Sequence, residues 1–125
     1  MRVACLIYVA MAGAAVAEPF AVPSGQDIKF KQVIWIDEND PPYATFRFVA
    51  PDVSKVGYDV SVEDILYLCE NYALPQIIEK HDDTEVELVI SLSQVDIEFG
   101  EMNPDVTQFF ESFVIRDAQC AWGEL

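Results

Sequence analysis

Three stretches of this chain carry side chains that could do chemistry. His81-Asp82-Asp83 sets the single histidine beside two carboxylates. Such a pair acts as a general base when a nucleophile stands within hydrogen-bond reach. No Gly-x-Ser-x-Gly pattern accompanies it, so a solvated turn is expected there. Zinc would need more His or Cys ligands than the chain leaves free. Glu98, Glu101, Asp105 and Glu111 form a second group, acidic, around Gly100. Paired carboxylates at the right separation cleave glycosides, and Glu98 with Glu101 would be the pair in a small carboxylate-dependent hydrolase. The third stretch, Asp37 to Tyr43, reads DENDPPY. Calcium takes six to eight oxygens, which makes Asp37, Asn39 and Asp40 candidate ligands of a weak calcium-binding module. The same residue types also build ordinary turns, and a plain acidic turn is the leading expectation.

None of these is a complete catalytic constellation, and the sequence holds no cofactor motif. The expected function is therefore a non-catalytic binding or interaction module, with the hydrolase and the calcium module as alternatives. Its partner would be a protein or a small ligand. Seven Lys and Arg stand against 22 Asp and Glu, giving a formal net charge of −15. Nucleic acid is excluded as a partner on that balance, because binding would add repulsion instead of releasing counterions. A basic partner, a cation or plain solubility is compatible with it. Phe109, Phe110, Phe113 and Trp122 crowd the last third of the chain. Aromatic residues dominate small cores, so most are expected inside. Adjacent Phe109 and Phe110 cannot both face one way, which leaves one of them for the surface.

The first seventeen residues set the context for these side chains. Arg2 is followed by an apolar run from Val3 to Ala12, and Ala15-Val16-Ala17 is a small-x-small site before Glu18. That order is a secretory signal peptide, and cleavage is expected near Ala17, sending the protein to the periplasm or outside the cell. A spanning helix needs about 20 apolar residues, and no segment after Ala17 provides them. Cleavage removes Cys5 and leaves Cys69 and Cys120. Two cysteines in an exported chain pair, and closing so long a loop stabilises by roughly 4 kcal/mol on the chain-entropy model. The bond would pack the Cys69 helix against the C-terminal segment.

The elements that must position these residues follow from hydrophobic period and turn signals. Glu18 to Gln26 is an extended N-terminal arm, and residues 27–125 form a single domain. Asp27 to Ile36 reads as a strand with Ile28, Phe30, Ile34 and Ile36 on one face. Tyr43 to Ala50 reads as its hairpin partner, with Ala44, Phe46, Phe48 and Ala50 inward. Ser61 with Asp64 resembles a capping box, which starts a helix at Val62 that runs to about Tyr72. Pro75 to Lys80 is a short second helix or a kinked continuation. Glu85 to Leu92 alternates cleanly, with Val86, Leu88, Ile90 and Leu92 inward. Val95 to Phe99 reads as a short strand, Val106 to Glu111 as one or two helical turns, and Phe113–Arg116 and Gln119–Trp122 as closing strands. That order predicts an α+β fold: an antiparallel sheet with one main helix on one face, stapled by the disulfide.

The chain resembles a family of short exported bacterial proteins of unknown function. The resemblance rests on Val22-Pro23-Ser24-Gly25, Arg47-Phe48-Val49-Ala50-Pro51, Leu68-Cys69 with Ala73-Leu74-Pro75, Ile90-Ser91-Leu92-Ser93, Glu98-Phe99-Gly100, Thr107-Gln108-Phe109-Phe110-Glu111, and then Cys120 and Trp122. It implies no activity and no site. Some relatives carry an acetolactate-synthase label, but this chain lacks the Gly-Asp-Gly pattern of thiamine-diphosphate enzymes.

Overall fold

The computed structural model describes residues 20–82 and 85–123. The leader read at Met1–Ala17 lies outside them, as do the start of the arm and Asp83. Five strands form one sheet in chain order: β1 (Lys29–Ile36), β2 (Tyr43–Val49), β3 (Val86–Ser93), β4 (Gln108–Arg116) and β5 (Gln119–Trp122). The expected α+β fold is present, with the helices on one face. The sheet itself is mixed. β1–β2, β3–β4 and β4–β5 are antiparallel, whereas β2–β3 is parallel. Parallel neighbours need a long crossover, and the helical segment between them is that crossover.

Alternation fixes the core face. Ala44, Phe46 and Phe48 from β2 and Val86, Leu88, Ile90 and Leu92 from β3 are all buried, as expected. β1 departs from the expected pattern. Its pairing with β2 slips between Phe30 and Gln32, and an extra residue there reverses which side chains face inward. Phe30, Val33 and Trp35 pack on the core, while Ile34 and Ile36 turn to the other face.

The main helix begins four residues before the expected Val62. α1 (Val53–Val56) ends at Gly57, whose φ of 88° is open to glycine without strain, and α2 (Tyr58–Leu68) starts directly after it. Ser61 and Asp64 are therefore not a capping box; both are fully buried inside the helix. Asp64 accepts from the Ser24 N–H (2.9 Å), the Ser24 hydroxyl (2.5 Å) and the Gln26 amide (2.7 Å). Gln26 also reaches the Ser61 hydroxyl at 3.2 Å. This network ties the N-terminal arm to α2, and Phe20 completes the anchorage with its ring 4.8 Å from that of Tyr72.

Helix continues through a π turn (Cys69–Ala73) into α3 (Leu74–Lys80). The Leu74 N–H donates to the Cys69 carbonyl, five residues back. The wider turn accommodates Pro75, which has no N–H to give, so the continuation is the form the chain adopts. Cys69 is buried in that turn and bonds Cys120 of β5, with Cα atoms 6.4 Å apart. Among the described residues no helix is long and apolar enough to cross a membrane.

Two expected elements near the C-terminus are absent. Val95 to Phe99 is not a strand, and Val106 to Glu111 is not helical. Residues 94–107 form a loop, and strand resumes at Gln108. The second edge of β3 decides this, since it pairs residue for residue with β4 from Val86↔Ile115 to Ser93↔Gln108. That long ladder outweighs the local turn signal at Asn103-Pro104-Asp105, which survives as one turn with the Val106 N–H bonded to the Asn103 carbonyl at 3.0 Å. Asp117 and Ala118, with φ of 54° and 57°, make the two-residue turn into β5.

Candidate functional site

With the helices on one face, the other face of the sheet is left to the loop 94–107. Strand register places Thr45, Val89 and Ser112 in one row across β2, β3 and β4, and Arg47, Ser91 and Phe110 in the next. Arg47 is buried although it stands on the face without helices. Its guanidinium donates to the Ile97 carbonyl at 2.7 Å and to the Gln32 side-chain oxygen, and the Phe99 ring centroid lies 5.5 Å away. Arg47 thus pulls the loop down onto the sheet. Ser91 and Ser93, polar residues of the outward row, are buried under it.

The loop stops short of sealing the face. A hollow of about 120 Å³ remains, lined by Thr45, Arg47, Ser91, Gln108 and the side chains around its mouth. Three large apolar residues form that mouth and are open to solvent: Phe99 (59% exposed), Met102 (88%) and Phe110 (46%). Isolated exposed apolar residues are ordinary, whereas a cluster rimmed by polar groups marks an interaction site. The rim is anionic. Glu101 Oε1 accepts from the Glu98 N–H at 3.1 Å, and Asp105 turns on Asn103. Among the described residues no cation lies within ion-pair distance of Glu98, Glu101 or Asp105. Asp96, further along, is held by Lys31.

The four carboxylates read from the sequence as one cluster are divided by the sheet. Glu98, Glu101 and Asp105 are on the loop, whereas Glu111 points to the helix face and accepts from the Tyr58 hydroxyl. That bond is the leading reason the Tyr58 phenol is held above its usual pKa. Phe109 and Phe110 part as expected: Phe109 packs edge-on against Tyr58, centroids 5.4 Å apart, and Phe110 is exposed. Phe113 is core, while Trp122 stacks on it and is half-exposed.

The DENDPP stretch is the turn between β1 and β2. Asp37 accepts from His81 Nε2 at 2.7 Å and lies 3.2 Å from the Lys80 ammonium. The Asn39 amide donates to the Pro41 carbonyl at 3.1 Å. A calcium ion at Asp37, Asn39 and Asp40 would have to displace Lys80 and His81. Among the described residues no three His, Cys, Asp or Glu side chains gather as a metal site. His81 faces a cavity of about 390 Å³ with Ile77, Glu85, Ile115, Arg116 and Asp117, and among the described residues its lining holds no serine, threonine or cysteine nucleophile.

The hydrogen bond from His81, followed by Lys80, holds the Asp37 carboxyl below its ordinary value of 3.8. A carboxyl depressed in the folded state contributes stability above the unfolded pKa and loses it as pH falls through the lower folded value. Asp37→Asn should therefore flatten the acid limb. Urea midpoints compared at pH 6 and pH 3 should differ less in the variant than in the native chain.

The sequence reading missed Arg47 and the Ser24–Asp64 network. The only signal for either was a charged residue inside an alternating strand and an acid inside an apolar helix stripe. Comparison with known families finds that a model described as a family of unknown function (DUF6497) matches residues 5–125. No curated protein and no solved structure matches.

Proposed function

The chain belongs to this family of unknown function, and since membership assigns no activity, we propose that the protein is an exported, non-catalytic binding module that captures a basic partner through an apolar anchor. One observation carries this reading: Phe99 and Met102 of the loop and Phe110 of β4 are exposed together at the mouth of one hollow, and among the described residues Glu98, Glu101 and Asp105 of that loop have no cationic partner. Aromatic residues and methionine concentrate at the centres of interfaces, and surrounding charge sets partner choice and encounter rate. The net charge of −15 adds long-range attraction for a basic partner. Export is supported by the leader pattern at Met1–Ala17 and by the pairing of Cys69 with Cys120.

The test is an amide-resolved NMR titration of the full domain with the peptide Lys-Lys-Lys-Ala-Leu, amidated at its C-terminus. Shifts should centre on Phe99, Met102 and Phe110, and Phe99→Ala should weaken binding about 10-fold. A Glu-Glu-Glu-Ala-Leu peptide that binds equally well, or shifts confined to another face, would overturn the reading.

A further inference from the structure

The hollow beneath the lip has a charged floor whose charge the fold does not neutralise. Arg47 is only 7% exposed, yet among the described residues no carboxylate lies within ion-pair distance of its guanidinium. Buried charges are ordinarily paired, because desolvation is otherwise uncompensated. The partners here are neutral: the Gln32 side-chain oxygen and the Ile97 carbonyl. Those two contacts occupy two of the five N–H donors that a guanidinium offers. They account for how the loop is tethered, but a neutral donor would tether it without burying a charge.

A guanidinium fork is matched in shape to a carboxylate. Arg47 lines the hollow together with Thr45, Ser91 and Gln108, which add neutral polar groups, while Phe99, Met102 and Phe110 supply apolar walls. At about 120 Å³ the space is well below the ~300–1,000 Å³ of pockets that enclose whole ligands. It admits one end group of a larger molecule. The geometry points to Arg47 as the receptor for the C-terminal carboxylate of the partner, whose last, apolar side chain packs against the lip. This rests on the lip being the docking surface. A chain end is the source that fits, because only there do an apolar side chain and a carboxylate share one Cα. An internal Asp or Glu would bring its carboxylate on a polar side chain and leave the lip unfilled. Glu98 and Glu101 then meet basic residues upstream of that end.

The experiment compares Lys-Lys-Lys-Ala-Leu as the free acid with the same peptide amidated, on the full unaltered domain. The free acid should bind about 10-fold tighter. General electrostatics predict the opposite sign, since the free acid carries one more negative charge towards a chain of net charge −15. A preference for the acid thus reports a local cation. Arg47→Gln should abolish the preference. Equal affinities for acid and amide on the unaltered protein would overturn this inference while leaving the lip as a docking surface. Failure of both peptides to shift Phe99 and Met102 would overturn both. The acid–amide comparison needs no variant, so it holds even if Arg47→Gln releases the loop.

Discussion

Reduction of the Cys69–Cys120 bond should lower the stability of this domain by about 4 kcal/mol and its melting temperature by roughly 20 °C. The two cysteines are 51 positions apart, so opening the link restores a large loop entropy to the unfolded chain. The native side of the balance points the same way. Cys69 is buried in the π turn, and β5 is a four-residue edge strand whose backbone, among the described residues, pairs with β4 alone. Without the bond, β5 is left with that short ladder and the stacking of Trp122 on Phe113, centroids 4.7 Å apart. Circular dichroism melts of the native protein and of a Cys69→Ala/Cys120→Ala variant measure the effect. A drop under about 5 °C would mean that packing alone holds β5 to the helix layer. Intact mass before and after reduction counts the two thiols, and on protein recovered from the exported fraction it also reads whether the chain starts at Glu18.

Asp64→Ala should cost about 3 kcal/mol, large for a polar substitution. The fully buried carboxylate takes three hydrogen bonds at 2.5–2.9 Å, two from the exposed Ser24 and one from the buried Gln26 amide. Truncation strands the buried Gln26 amide, a loss of about 1–3 kcal/mol, removes both Ser24 bonds and leaves a cavity beside α2. Asp64→Asn keeps the volume but replaces one acceptor oxygen with a donor, so it should fall between the native chain and the alanine variant. The effect has a location as well as a size. The network ties residues 24–26 to α2, so the alanine variant should be cleaved in the arm by protease before the rest of the domain unfolds. Urea denaturation gives the magnitude. Asp105→Ala, on the exposed loop, should stay within about 0.5 kcal/mol. If Asp64→Ala matched it, the network would be incidental to stability.

How far the sequence could be read depended on whether local pattern or long-range pairing governed each segment. β3 and β2 were legible because each sets an unbroken apolar row on one face against a mostly polar row on the other. β1 was legible as a strand but not in its facing, since the slip between Phe30 and Gln32 depends on the register against β2. The α2 start was misplaced because Ser61 and Asp64 have the residue types of a cap, and only their burial against the arm reveals a different role. The stretch from Val95 to Glu111 was the least legible. Its alternation from Val95 to Phe99 is strand-like, but Arg47 holds the Ile97 carbonyl at 2.7 Å, and among the described residues no strand pairs with it. Of the candidate site, one of Phe109 and Phe110 was foreseen as exposed without saying which, and Glu98 and Glu101 were foreseen as an acidic pair, whereas Arg47 was not singled out.

The α+β class, the inward set of β2 and β3, the Cys69–Cys120 pairing and the strong net negative charge were all readable in the sequence. These follow from residue type and short-range period, which act before the chain has a tertiary structure. The parallel pairing of β2 with β3 was decided only in three dimensions, along with the division of Glu111 from Glu98 and Glu101 and the lip of Phe99, Met102 and Phe110 over a buried arginine. Each depends on which strand lies beside which. A sheet sends neighbouring residues to opposite faces, so a cluster that is contiguous in sequence is split while residues some fifty positions apart, such as Arg47 and Phe99, are brought together.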